Sequence, residues 1–413
     1  MPVELLALIV GVATATATAT VTAPGDDFEG FSDPNPAAEP LPAPGVDPVW
    51  AEPRQLPVPH WVAGAFLDTA YIFNHNMPGN HLWPGQVTHP RTGEVTLAVA
   101  AGYLRHQATS EQPWRFELAF HAGAAVDALY AAEPIPGGNA GDYAGPEVWK
   151  HVALANGGYR FVSGTEIQVG LMAAPIGVGG FWSKDNWTYS PALASNAVPY
   201  YLMGGRVIQP IGDEVEVDAW VVNGWQTIAD VNRAPSGLVG LQWARREITL
   251  RGQVFFGPER PDPAADQWMV HGDTQVIWDG HPVGVAAVAD VGREGWSGGS
   301  GDLYWLGGGV WIRGDLWQGR HASLVLAGRP EAWWDRDGRI YGISQVLLAG
   351  TVGPSLYVRD LLQVRLEYRY DRSLGSDGYF YRGDALALAA DQHSVLLNLL
   401  AKFEHAFARR APP

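Results

Sequence analysis

The sequence predicts an all-β chain, a single up-and-down transmembrane β-barrel of about sixteen antiparallel strands. Three observations lead there. Segments of about ten residues alternate strictly between apolar and polar positions, the period of a two-faced strand. The connections between them alternate long and short, as the loops of the two rims of a membrane barrel do. No stretch after residue 25 runs to eighteen consecutive apolar residues, although 47% of the 413 residues are hydrophobic, so no membrane-spanning helix is expected in the mature chain. A mean hydropathy of -0.06, with 18 Trp, 15 Tyr, 13 Phe and 50 Gly, suits strands whose two faces average out.

The N-terminal run "LLALIVGVATATATATVTA" has an apolar core and then small residues offering several Ala-x-Ala sites. It reads as a secretory signal over residues 1–23, cut between Ala17 and Ala23. The competing reading is a buried helix, which the Thr-Ala repeat would continue poorly. Met1–Glu4 carries no Lys or Arg, which leaves room for a start further upstream. Residues 24–59 are Pro-rich and acidic and read as an extended or disordered linker. The barrel is expected over residues 60–408 and a short tail over 409–413. Export points to the outer membrane of a Gram-negative envelope.

The strand signal is clearest in "LLQVRLEYRYD". Leu362, Val364, Leu366, Tyr368 and Tyr370 share one face, and Gln363, Arg365, Glu367, Arg369 and Asp371 the other. "WRFELAFHA" and "EIQVGLMA" repeat the pattern. In "QWMVHGDTQVIWDG", Trp268 and Trp278 share a face ten residues apart. At about 3.3 Å per residue and a tilt near 40° they stand about 25 Å apart along the membrane normal, the spacing of two aromatic girdles. Sixteen strands are expected near 60–75, 94–107, 114–128, 148–156, 165–175, 199–209, 214–224, 237–246, 248–257, 266–279, 282–292, 302–315, 320–334, 338–352, 360–372 and 391–407.

Connections after odd-numbered strands are long, and those after even-numbered strands are short, down to "RE" at Arg246. The brief "WDRDGR" after the thirteenth strand is the exception. Long loops are expected outside the cell and short turns in the periplasm. The third long loop, Gly179–Pro199, is too aromatic for a hairpin turn. Sixteen-stranded general porins fold their third long loop into the lumen, a resemblance in architecture. By that reading Trp182, Trp187 and Tyr189 pin the loop to the wall, and Lys184, Asp185 and Asn186 meet solute at a constriction.

A sequence resemblance supports this. "APIGVGGFWSKDNWTYSPALASNAVPYYLMGGRVIQPIGDEVEVDAWVVNGWQTIADVN" resembles the OmpL-like β-barrel outer-membrane porins. The pattern lies in Pro175-Ile176-Gly177, Lys184-Asp185-Asn186 with Tyr189-Ser190, and Val222-Asn223-Gly224-Trp225 with Asp230 and Asn232. "FFGPE" at Phe255–Glu259 and the opening strand "GAFLDTAYIFNHN" fit as well. The resemblance implies a pore and no named solute. The tail "ARRAPP" departs from barrels that end on a terminal aromatic.

Inward-facing charges are expected to line the lumen: Arg115, Glu117, Glu166, Arg206, Glu216, Asp218, Arg251, Asp273, Arg313, Arg365, Glu367 and Arg369. As a set they would shape the field of a pore and orient ions and dipoles. Each one singly also reads as half of a structural cross-strand pair.

Other functions fare worse. A net charge of -16 argues against nucleic acid, whose phosphates need a basic face. The absence of cysteine excludes disulfides and thiolate chemistry. There is no G-x-S-x-G elbow and no H-E-x-x-H pair. Ser394 and His405 are too far apart on one strand to form a dyad. "DRDG" (Asp335–Gly338) is a fragment of a calcium loop and reads better as a tight turn. No enzyme activity, cofactor or metal is expected. The expected partners are outer-membrane lipid and small hydrophilic solutes or ions. The oligomeric state is left open, with a trimer among the choices. Two alternatives remain: a soluble all-β carbohydrate-binding protein, and a barrel with an adhesive or lipid-hydrolysing role.

Overall fold

The computed structural model describes residues 60–109, 111–131, 149–230, 232–260, 267–295, 301–375 and 377–408. The expected signal peptide, linker and C-terminal tail lie outside the described residues.

The chain forms strands β1 (His60–Asn74), β2 (Val95–His106), β3 (Trp114–Ala122), β4 (Val152–Arg160), β5 (Glu166–Ala173), β6 (Tyr201–Ile211), β7 (Val215–Val222) and β8 (Ser236–Arg245). It continues with β9 (Ile248–Pro258), β10 (Trp268–Trp278), β11 (Val283–Glu294), β12 (Leu303–Gln318), β13 (Ala322–Asp335), β14 (Gln345–Val358) and β15 (Leu362–Ser373). A small hairpin, β16 (Phe380–Arg382) and β17 (Ala387–Ala389), precedes the last strand, β18 (Asp391–Ala408). All but the small hairpin join into one closed barrel of sixteen antiparallel strands. β1 pairs with both β2 and β18, so no sheet edge is left open to lipid.

The two faces of β10 and β15 part as the alternation predicts. On β15, Arg365 and Arg369 are 2% and 0% exposed, whereas Leu366 and Tyr368 on the other face are 50% and 42% exposed. Trp268 and Trp278 stand on the outer face at opposite ends of β10, 53% and 42% exposed. Tyr71, Phe73 and Phe256 share the long rim with Trp268, and Tyr159, Trp317 and Phe407 the short rim with Trp278. Aromatic side chains therefore band the outer wall at both ends.

Three expected strands are corrected. The third ends at Ala122, not residue 128: Gly123, at φ 134, breaks the strand, and the Ala-rich run after it forms a short helix, α1 (Ala124–Tyr130). The fourth is 152–160 and runs past residue 156, since Gly157 and Gly158 pair in register with Val169 and Gln168. The fourteenth is 345–358. Pro354 stays in the strand opposite Leu326, and pairing to β15 lapses between Val352 and Ser355, where a proline N–H is not needed. That shift lengthens the loop after β13 to 336–344 and removes the apparent exception to the long-short rule. We number the long-rim loops L1 (75–94) to L8 (374–390), with L3 at 174–200 and L4 at 223–235.

Candidate functional site: the loop across the lumen

L3 leaves β5 and returns to β6. In the closed ring β13 stands eight strands from β5, on the opposite wall. L3 reaches it. A backbone crossing the lumen exchanges water for protein, so its N–H and C=O groups need protein partners.

At its root, the Pro175 carbonyl accepts from the side-chain amides of Gln253 (2.6 Å) and Gln275 (3.1 Å). The Gly177 N–H donates to Asp273 (3.1 Å). Gly177 has φ +84, and a Cβ there would come within 3.0 Å of Val198, so the turn needs glycine. On the far wall, the two oxygens of Glu367 accept from the backbone N–H groups of Tyr189 (2.6 Å) and Ser190 (3.0 Å). Glu331 accepts from the Leu193 N–H (2.5 Å). Arg329 donates to the carbonyls of Ser190 (2.8 Å) and Pro191 (3.0 Å) and to the Thr188 hydroxyl. Arg369 donates to the Pro191 carbonyl (2.7 Å), and Arg365 to that of Ser183 (2.7 Å). The Ser183 hydroxyl donates to Asp68, which Asn398 also holds (2.6 Å). Charged side chains thus take up the orphan polar groups of a loop, with charge-assisted bonds stronger than neutral ones.

Apolar packing completes the fit. Trp187, Leu193 and Val198 of L3 join a buried cluster with Trp220, Leu238, Phe255, Met269, Val288 and Trp311 of the wall. Beside the expected charges, the inner wall carries a large apolar sector, and L3 is packed against it. Trp182 stacks on Tyr103 with ring centres 5.6 Å apart, and Tyr189 is buried against the wall.

The predicted site residues divide into groups. Arg365, Glu367 and Arg369 grip L3, as above. Arg115 pairs with Glu166 (3.6 Å), which also holds Arg160 (2.7 Å). Glu117 accepts from Asn156 (3.2 Å). Arg206 donates to Gln168 (2.8 Å) and lies over Trp220, and Arg251 pairs with Asp218 (3.2 Å). These are wall-to-wall pairs. Lys184 pairs with Asp185 (2.6 Å) and lies over the rings of Tyr103 and Trp182. Asn186 does not reach outward: its amide both accepts from and donates to the backbone of Gly180 (2.9 Å each) and closes the loop on itself.

A cavity of about 310 Å³ lies between L3 and the wall and extends to the Arg246–Glu247 turn on the short rim. Asp185 and Asn186 line it, together with Trp187, Trp311, Thr249 and Asp279. It also takes in Thr88 and His89 of L1, a loop that sequence reasoning left outside. L1 folds in as well. The Val87 N–H donates to Asn196 of L3 (3.0 Å), whose amide donates to the Gly85 carbonyl (2.7 Å). Burial, reinforced by the Arg365 charge, pushes His89 down to about 4, so it is neutral near pH 7. The residues missed were Asp68, Arg329 and Glu331. Their signal was available, since Arg329 and Glu331 alternate on the same face of "AGRPEAWW".

The motif residues outside L3 form a clasp. Glu259, after β9, accepts from the Trp225 N–H (2.7 Å) and the Ser236 hydroxyl (2.5 Å). Gly224 leaves room for it, since a Cβ there would sit 2.9 Å from the Glu259 carboxylate. Asn232 donates to the carbonyls of Pro258 (2.9 Å) and Arg260 (3.1 Å). L4 is thus fastened to the residues that follow β9. Among the described residues, no group of three or more His, Asp or Glu side chains could hold a metal ion.

Comparison with known proteins agrees with this geometry. The barrel is similar to an anion-selective porin from Comamonas acidovorans, with a TM-score of 0.52, 10% identity, and coverage of 83% of this chain and 99% of that one. It is similar also to OmpT of Vibrio cholerae in its trimer form, with a TM-score of 0.50, 7% identity, and coverage of 84% and 100%. No curated protein matches the chain. Residues 62–403 match the family model described as "Putative beta-barrel porin-2, OmpL-like". With that match running through all sixteen strands, the chain belongs to the OmpL-like porin family and is a channel protein of the outer membrane.

Proposed function

We propose that the barrel passes small hydrophilic solutes and ions by passive diffusion, and that L3 sets its narrowest zone. The observation that carries this is the course of L3. It leaves β5 and is held on the opposite wall by Glu331 and Glu367, so solute must pass the loop. Lys184 and Asp185 form an ion pair on the loop and place both signs of charge beside the path. The rim aromatics, Trp268 and Trp278 among them, anchor the outer wall in lipid. The chemistry is passage and not turnover. No nucleic acid takes part, and the oligomeric state, a trimer included, is open to cross-linking in intact membranes.

The test is conductance of the detergent-folded protein in planar bilayers. Discrete single-channel steps are expected. A folded, heat-modifiable barrel that inserts without any step would overturn the channel reading. The salt gradient then reads selectivity: replacing Lys184 by Glu should move the reversal potential toward cations, since a charge in a narrow zone outweighs several at a wide mouth.

A further inference from the structure

We propose that the cavity under L3 is a saturable binding site for a neutral, ring-shaped polyol of monosaccharide size, taken up on its way through the channel. The inference rests on the channel reading above and adds the class of solute.

Size comes first. About 310 Å³ is the lower end of the range for small-molecule sites. One six-membered ring with its hydroxyls fits.

Charge comes second. The ionic side chains on the lining are matched within the protein. Asp185 pairs with Lys184 (2.6 Å), Asp279 with Arg313 (2.6 Å), and Arg329 with Glu331 (2.7 Å). The remaining two, Arg246 and Glu247, are consecutive residues of opposite sign in the turn at the mouth. A carboxylate or ammonium solute would have to displace one of these pairs or remain unpaired. A neutral solute meets neither cost.

Surface chemistry comes third. Trp187 and Trp311 line the cavity beside hydroxyls of Thr188 and Thr249. Each indole already carries an arginine on its ring, Arg313 over Trp187 at 5.1 Å and Arg329 over Trp311 at 5.7 Å, which fixes the ring planes. Both indoles are mostly buried and offer the cavity their edges, against which the C–H groups of a pyranose pack while its hydroxyls exchange hydrogen bonds with hydroxyl neighbours. An open-chain polyol offers the hydroxyls without a rigid apolar face.

The experiment measures block of the single-channel current by D-glucose, by sorbitol as the open-chain polyol, and by glucuronate as the charged ring. Glucose should reduce the current along a saturating curve. Sorbitol and glucuronate should need at least fivefold higher concentration for the same block. Trp311→Leu, which keeps apolar volume, should raise the half-blocking glucose concentration about tenfold, and Trp268→Leu on the lipid face should leave it unchanged. Tryptophan fluorescence of the detergent-folded barrel, titrated with the same three solutes, reads the site without conductance. A channel without current steps whose fluorescence still saturates with glucose fails as a channel and keeps the site. Block that rises linearly with glucose, or equal block by all three solutes, overturns the site and leaves the channel standing. If Trp311→Leu fails to fold, as judged by loss of heat-modifiability, Thr249→Val is substituted. An unchanged half-blocking concentration there overturns the site equally.

Discussion

L3 and L4 are both held at the long rim, and by opposite means. L3 is fastened by strand side chains that reach across the lumen into its backbone: Glu331, Glu367, Arg329 and Arg369. L4 is fastened by its neighbour, through Glu259 to the Trp225 N–H and through Asn232 to the carbonyls of Pro258 and Arg260. The difference separates a loop that crosses the lumen from one that is tied down at the rim. It also shows what the family motif marks. Pro175, Gly177, Gly224, Trp225 and Glu259 are places where backbone is tied down, whereas Lys184 and Asp185 of the same motif form an ion pair on the middle of L3.

The largest effect should come from removing the crossing itself. Deleting Ser183–Ser195 takes away the span bound by Glu331 and Glu367 and should raise single-channel conductance severalfold. The same length removed from L4 should change conductance little, because L4 docks on the residues after β9. Equal changes in the two deletions, measured in planar bilayers, would erase the distinction between the loops.

Next comes the grip. Glu367→Ala leaves the N–H groups of Tyr189 and Ser190 buried without an acceptor, at about 1–3 kcal/mol each. Lower unfolding temperature with noisier open-channel current is the expected result. Glu259→Ala in the clasp should lower stability less and leave the current noise unchanged. Quiet current in Glu367→Ala would mean that packing of Trp187 and Leu193 holds L3 without the carboxylate.

The third comparison is within β15, between the face that carries L3 and the face in lipid. Val364→Arg should cost roughly 2–4 kcal/mol near the midplane, by burying a charge in hydrocarbon. From alternation alone, Arg365→Gln would be nearly silent, since its neighbours would be water. The Arg365 bond to the Ser183 carbonyl and its burial make it costly as well, by about 1–3 kcal/mol. Urea midpoints of the two variants in matched lipid vesicles measure both.

These contrasts show what was legible in the sequence. Alternation fixed the facing of nearly every strand, because a period of two admits no other assignment once one face is apolar. It failed at Gly157-Gly158 and at Pro354, where residues that usually end strands sit inside them. The course of L3 followed from its rank among the loops and its aromatic load. Its partners did not, because a strand pattern says that Glu331 faces the lumen and says nothing of what crosses the lumen to meet it. L1 was missed for the same reason. The docking of Val87 on Asn196 joins residues 109 apart in the chain, and no local pattern encodes it.

The smallest expected effect concerns the clasp and pH. Burial pushes the Glu259 carboxyl from its ordinary 4.5 up to about 7, against the lowering pull of its bonds from Ser236 and Trp225. The folded protein therefore holds a proton between about 4.5 and 7 that the unfolded chain has released. Stability from this group is present in full below 4.5 and is lost as pH rises through 7. The clasp should open more readily on the alkaline side. Hydrogen exchange at the Trp225 N–H, corrected for the intrinsic pH dependence of exchange, should speed up between pH 6 and 8 with a midpoint near 7. Glu259→Gln, which cannot ionise and still offers a carbonyl acceptor, should flatten that dependence. The same measurement at the Leu193 N–H, held by Glu331 inside the barrel, tests whether opening of the clasp spreads to L3. Exchange there that follows the Trp225 midpoint would join the two loops into one mobile unit, and exchange indifferent to Glu259 would keep them separate.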